Sequence, residues 1–213
     1  MRIYSARLVL ACFCLLVLVS TAAAETRLPP PQTSGGMSLF EALDRRSSAP
    51  GGDFSTAPVS DEELATILWA ATGLNRDGKG WTVPMSKGRE PYCRVYVAGE
   101  RGVFLYDWKN HSLREITAEN IKAKIGEQGF VRKAYYSRIF VSDAQGLAYF
   151  KNPQKEHDFA QVLVGAMTQD VYLAAAALNI GARYIHSIHV EEIVRALNLP
   201  EGDLPIALML LGK

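Results

Sequence analysis

The longest apolar pattern in the chain covers residues 159–182, a stretch rich in Ala and Leu and free of Pro. Gly165 inside it costs a helix only about 1 kcal/mol, so the composition predicts an α-helix. At 1.5 Å per residue, Phe159 to Leu178 spans roughly 30 Å, about the width of a small domain. Apolar residues occupy nearly every face, which predicts a buried central helix rather than a surface one. Thr168-Gln169-Asp170 at its middle argues against membrane insertion, because an Asp at mid-bilayer costs about 3 kcal/mol. Gly181 is expected to close the helix as its C′ residue.

The rest of the pattern arranges itself around that helix. Ser38-Leu39-Phe40-Glu41 and Ser60-Asp61-Glu62-Glu63 read as capping boxes that open two helices. The first runs to Arg46; the second carries the stripe Leu64, Ile67, Leu68 and Ala71 and ends at Gly73. Residues 94–98 and 103–107 alternate and predict a hairpin with a four-residue loop, Gly99 to Gly102. Thr117 is expected to cap a short helix ending near Gly126. Residues 137–142 and 183–185 read as strands, and 189–197 as a helix. The unbroken apolar run at 204–211 predicts a strand buried on both faces. These elements predict a single α+β domain at 37–213, with a central mixed sheet packed by helices.

Composition changes the picture mainly at the start. Arg2 and Arg7, an apolar run over 8–19 and Ala22-Ala23-Ala24 have the form of a cleaved signal peptide, residues 1–24. The run is too short to span a membrane comfortably. A periplasmic or secreted protein is expected, with a Pro- and Gly-rich solvated linker at 25–36. Removing Arg2 and Arg7 leaves 21 basic against 22 acidic residues, which gives no footprint for nucleic acid or anionic lipid. Cys12 and Cys14 leave with the signal, so Cys93 remains alone, expected as a buried strand residue.

Few residues speak of chemistry unaided. Arg45, Arg46 and Ser47 follow a helix end. Two guanidinium forks and a hydroxyl suit a phosphate, while the same cations also suit the negative end of the helix dipole. His186 and His189 lack the Cys or carboxylate partners of a metal site. No carboxylate pair, Ser-His-Asp set or phosphate-cradling glycine loop is present.

Five segments in order resemble the nitroreductase fold, in particular its exported branch similar to the thiazole and oxazole dehydrogenases. They are the Arg-Arg-Ser at 45–47, "DEELATILWAATGLNR" at 61–76, "CRVYVAGERGVFLYDWKNHSL" at 93–113, Gln169-Asp170-Val171-Tyr172-Leu173 and the closing strand from Pro205. The resemblance implies a homodimer with flavin mononucleotide (FMN) at the subunit interface. It implies two-electron transfer to or from a small organic substrate, with NAD(P)H as a possible electron donor. It places Arg45, Arg46 and Ser47 at the phosphate, with Lys213 as a substitute contact for the family's basic C-terminal extension. It places Ser86, Gly88, Arg89, His186 and Ser187 around the ring, and Gln169 among the cofactor-binding residues. Several positions depart from the family pattern. Met85, Gly88 and Glu90 stand where Ser, Asn and Gln are expected, and His186 and Ser187 stand where glycine usually lets the backbone approach the flavin. Two alternatives follow: a flavin-free binding protein on the same fold, or a monomeric periplasmic binding protein unrelated to nitroreductases.

Overall fold

The computed structural model describes residues 25–51, 54, 57–84 and 90–213. In chain order these form β1 (Glu25–Arg27), α1 (Leu39–Arg45), α2 (Asp61–Thr72), a small hairpin of β2 (Leu74–Asn75) and β3 (Gly80–Trp81), β4 (Cys93–Gly99), β5 (Gly102–Asp107), β6 (Ser112–Thr117) and β7 (Tyr136–Ser142). A short α3 (Ala144–Leu147) leads to α4 (Pro153–Ala177), followed by β8 (Gly181–Ile185), α5 (Val190–Leu197) and β9 (Leu204–Gly212). Seven strands make one sheet in the order β1-β6-β5-β4-β7-β9-β8. Every pairing in it is antiparallel, where a mixed sheet was expected.

Period-two alternation sends the strand side chains to two cores. On one face Val95, Val97, Phe140 and Met209 meet Leu64, Ile67 and Leu68 of α2 and Leu163, Val164 and Met167 of α4. On the other, Tyr96, Ala98, Ile139 and Leu208 meet Ile193 and Leu197 of α5, with Ile121 and Ile125. Because β9 lies between β7 and β8, all of it beyond Leu204 is buried, as its apolar run predicts. Cys93 is buried on β4, and burial pushes its thiol pKa up.

The central helix begins six residues before Phe159. Asn152 caps it by accepting from the Lys155 amide at 3.0 Å, and Pro153 opens the first turn, where its missing N–H costs nothing. Its end also differs from expectation. Asn179, at φ 55°, takes the left-handed position assigned to Gly181. The amides of Ile180 and Asn179 bond back to the Ala175 and Ala176 carbonyls at 2.8 and 3.1 Å, which is a Schellman closure. Gly181 instead belongs to β8, and an added Cβ would stand 3.0 Å from the Gly212 carbonyl and 3.3 Å from Ala49. The helix is not buried all round. Its core face is closed, but Val162 is 72% exposed and Gly165 and Gln169 lie open on the same side.

Other differences have local causes. Ser60 and Glu63 complete both halves of a capping box, whereas Ser38 makes only its own half with the Glu41 amide. No α-helix follows Thr117. That residue ends β6, its hydroxyl accepts the Glu119 amide at 3.2 Å, and Ile121 and Ile125 anchor an irregular crossing over the second face. A Thr side chain bonding two residues ahead competes with helix initiation. The β4–β5 loop is tighter than expected, because Gly99 and Gly102 pair and leave two residues in the turn. Gly102 sits at φ 116°, a conformation natural to glycine. The 25–36 segment is mostly exposed but not free: β1 joins β6, Leu28 is buried, and the Leu28 amide donates to the His111 carbonyl at 3.0 Å.

Two cations of the sheet, one partly and one fully buried, fare differently. Arg94 is held by Asp203 at 2.5 Å and Asp143 at 2.9 Å, tying β4 to the loops before α3 and β9. Arg138, on β7, is fully buried with one long bond, Nη1 to the Ile67 carbonyl at 3.4 Å, and its Nε and Nη2 have no partner. Desolvation lowers its pKa to about 9. An uncompensated buried charge is costly, and apolar replacement of buried charges commonly stabilises by about 1–4 kcal/mol. Arg138→Met is therefore expected to raise unfolding stability by about that amount, measured as a higher urea midpoint at unchanged slope.

Candidate functional site

Strand β8 is an edge of the sheet, and an edge strand leaves backbone N–H and C=O groups without ladder partners. Here they are taken up by the chain leaving α1 and by one side chain of α4. The Ala49 amide donates to the Ala182 carbonyl at 2.8 Å, and the Tyr184 amide donates to the Tyr172 hydroxyl at 2.8 Å. The same hydroxyl lies 2.8 Å from the Ser48 hydroxyl, and the Arg183 guanidinium donates to the Ala49 carbonyl at 2.8 Å. The tail of α1 is thus bound along the open edge of β8.

This arrangement fixes Arg45, Arg46 and Ser47. Arg46 lies over the Tyr172 ring, 5.3 Å from its centroid, a cation–π contact. Arg45 pairs with Glu41 at 2.8 Å one helical turn back, in an exposed ion pair of the kind worth 0–1 kcal/mol and so readily exchanged. Arg45, Ser47, Ala49, Tyr172 and Gly181 border a cavity of about 60 Å³. Gln169 is one helical turn before Tyr172 on α4 and exposed.

At the far end of β8, His186 is exposed. Its ring stacks on Tyr184 at 6.4 Å and 16°, with Nδ1 3.3 Å from the Tyr184 hydroxyl. The Ser187 carbonyl accepts from the Glu127 amide at 3.2 Å, and Ile188 bridges to Gly126. Arg46 and His186 are therefore linked through Tyr172 and Tyr184. Lys213 is not part of this cluster; its ammonium pairs with Glu63 of α2 at 2.8 Å. Glu90 pairs with Lys109 at 2.8 Å. Met85, Ser86, Lys87, Gly88 and Arg89 lie outside the described residues.

Tyr172, Ser48 and Tyr184 were not singled out from the sequence. The available signal was a lone tyrosine within an apolar helix, since a Tyr hydroxyl in such a setting finds a partner. The donor set beside Tyr172 fits the phosphate of the FMN that the resemblance implies: two guanidinium groups, one of them weakly paired, and a hydroxyl. The adjoining cavity is of anion size.

Two outcomes follow from this geometry. Tyr172→Phe leaves the part-buried Tyr184 amide without its acceptor, so a loss of about 1–3 kcal/mol is expected, with faster hydrogen exchange at that amide. Burial pushes the Asp170 carboxyl up to about 6. Its folded pKa thus exceeds the unfolded one, so the ionised form weakens the fold, fully above pH 6 and not at all below about 4. Asp170→Asn should raise the melting temperature at pH 8 and leave it unchanged near pH 3.5.

Comparison with known proteins agrees with the fold. Residues 43–213 match the Nitroreductase family. A candidate nitroreductase of Methanocaldococcus jannaschii is 26% identical over 184 residues, covering 82% of this chain and 90% of that protein. The crystal structure of a candidate nitroreductase from Ralstonia eutropha JMP134 superposes with a TM-score of 0.82 at 30% identity, covering 92% and 91% of the two chains. A chain of the E. coli microcin synthetase McbBCD complex shares the fold at a TM-score of 0.62 and 16% identity, covering 97% of this chain and 84% of that one. An unrelated periplasmic binding protein is thereby ruled out. With its sheet, its long α4 and the Arg-Arg-Ser tail laid along β8, the chain belongs to the nitroreductase family.

Proposed function

We propose that this member of the nitroreductase family is an exported, homodimeric, FMN-dependent oxidoreductase acting on a small organic substrate, with NAD(P)H as one possible electron donor. The observation that carries the reading is the Tyr172-centred junction, which holds Arg46 and Ser48 beside β8 and leads through Tyr184 to His186. Along β8, Ala182 to His186 spans about 13 Å at 3.3 Å per residue, a length suited to a phosphate at one end and a ring at the other. FMN, when bound, supplies the two-electron redox chemistry. Arg45, Arg46 and Ser47 hold its phosphate, and Tyr172 keeps Arg46 in place. His186, Ser187 and Gln169 are the described residues assigned to the ring side.

A second protomer suits the open side of α4. Val162, Gly165 and Gln169 make an exposed stripe, and an added Cβ on Gly165 would meet nothing within 4 Å. Phe40 and Leu39 of α1 are 82% and 60% exposed. Apolar exposure of this kind on adjacent helices supports a dimer interface that also closes the ring side of the site. The run over 8–19 and the small residues at 22–24 support export, with the mature chain starting at Glu25.

His186 favours a second reading, a flavin-free binding protein on the same fold. Its imidazole stands where the resemblance implies glycine, and a side chain there obstructs close backbone approach. One experiment separates the two. The processed protein is recovered from its native compartment, its visible spectrum recorded, and its thermal unfolding followed with added FMN or riboflavin. Flavin absorbance, or stabilisation by FMN but not by riboflavin, supports the enzyme reading; neither signal leaves the binding-protein reading. If FMN binds, Arg46→Ala should weaken its affinity about 10- to 100-fold, since a charge-assisted hydrogen bond contributes roughly 1.5–3 kcal/mol.

A further inference from the structure

The sheet is wider than the helical layer that covers it. Helices α2 and α4 lie against β4, β7 and β9, whereas among the described residues only the first turn of α2 reaches the β5-β6-β1 wing of the same face. At the boundary is a cavity of about 410 Å³, which shares no lining residue with the Tyr172 cluster. Its floor is apolar, formed by Leu28, Leu64, Val97 and Leu113. Its walls are aromatic. Tyr135 and Tyr136 meet edge to face, with centroids 4.8 Å apart at 89°, and Phe104 stands on β5 among the partly buried residues of this core.

The charges around it are unequal. Asp61 and Glu115 line the cavity, and among the described residues neither has a hydrogen-bond or ion-pair partner. Glu115 is cross-strand from Phe104 and half-buried, so its carboxylate shares the aromatic face. Burial, and after it the neighbouring Tyr135 and Asp61, push the Tyr136 hydroxyl pKa up, with Arg101 opposing. Arg101, at the β4–β5 turn, is a cation on this rim, and Glu100 beside it is taken up by Lys122 and Asn120. Arg27 also borders the cavity, at the β1 edge; Thr26 and Leu28 on either side of it take the inward positions of the strand, Thr26 opposite Leu113. Two unpaired carboxylates thus border a pocket of electron-rich rings, with Arg101 at its turn and Arg27 at its β1 edge, and Glu115 is the charge placed among the rings themselves.

We propose that this cavity is a second ligand site, specific for a small organic cation: an amine or quaternary ammonium group carried on an apolar body. The tyrosine and phenylalanine faces attract the cation through their quadrupoles, Glu115 and Asp61 supply the counter-charge, and the leucine and valine floor takes the apolar part. Both carboxylates lie outside the flavin site, so the proposal stands or falls independently of flavin binding.

Benzyltrimethylammonium, whose charge is permanent, is the probe, with phenylacetate and benzyl alcohol as anionic and neutral counterparts. Isothermal titration of the purified processed protein should show saturable binding of the cation in the micromolar to low millimolar range, clearly tighter than either counterpart. Glu115→Gln should weaken it, and Tyr136→Leu should do so by roughly 3- to 30-fold, the fold-change that corresponds to a partly desolvated cation–π contact. Flavin content should be the same in Glu115→Gln and the parent protein. Absence of saturation, equal affinity for phenylacetate, or unchanged affinity in a folded Glu115→Gln variant would each overturn the proposal.

Discussion

The open edge of β8 is the constraint on which the site depends. A row of unpaired backbone groups at a sheet edge must be covered, and this protein covers it with its own chain rather than with another strand. The Ala49–Ala182 bond and the Tyr172 hydroxyl do this together. Each also has a second effect. The first brings the α1 tail alongside the sheet, and the second places an aromatic ring under Arg46. The glycines at 181 and 212 follow from the same demand. Side chains there would strike Ala49 and Phe54 of the covering segment, so the corner is free of Cβ atoms by necessity.

Much of the fold was legible because its elements are locally consistent. The capping box before α2, the stripe from Leu64 to Ala71 and the apolar run of β9 each point to one structure. The differences arose where tertiary partners decide. Asn179 displaced Gly181 as the left-handed residue because Asn also tolerates that conformation and the β8 corner needed the glycine. Thr117 looked like a helix cap, yet its segment is a strand end whose isoleucines are drawn into the second core. The edge strand β1 carries a Pro-rich continuation that reads as linker, and only its pairing with β6 shows otherwise. Of the site, Arg45, Arg46, Ser47, His186 and Ser187 could be named from the resemblance, while the hydroxyl that joins them could not. Nothing in a sequence says which strand edge a single tyrosine will reach.

The unequal widths of sheet and helical layer carry further consequences. Arg138 lies beneath α2, fully enclosed, with two nitrogens unpaired, while two residues along the same face Tyr136 reaches the edge of the cavity. Helix coverage therefore thins from complete at Arg138 to the first turn of α2 at Tyr136, within one repeat of the strand. A cavity at such a boundary inherits an apolar floor from the core and polar walls from the surface, the composition from which small-molecule sites are built.

On the flavin reading proposed above, the groups assigned to the phosphate and those assigned to the ring sit at opposite ends of β8. The α1 tail is positioned by the Ala49–Ala182 backbone bond and by Tyr172, whose hydroxyl also takes the Tyr184 amide; neither contact uses the side chains of His186 or Ser187. The departures from the family pattern that can be seen, His186, Ser187 and Glu90, are all at positions the resemblance assigns to the ring; Glu90 is paired with Lys109, and His186 meets Tyr184. Binding energy from a phosphate is the same whatever the ring does, whereas side chains beside the ring act on its chemistry. A chain can therefore keep its affinity for a mononucleotide while its reactivity drifts, because one depends on how the edge of β8 is covered and the other on which side chains stand past its end.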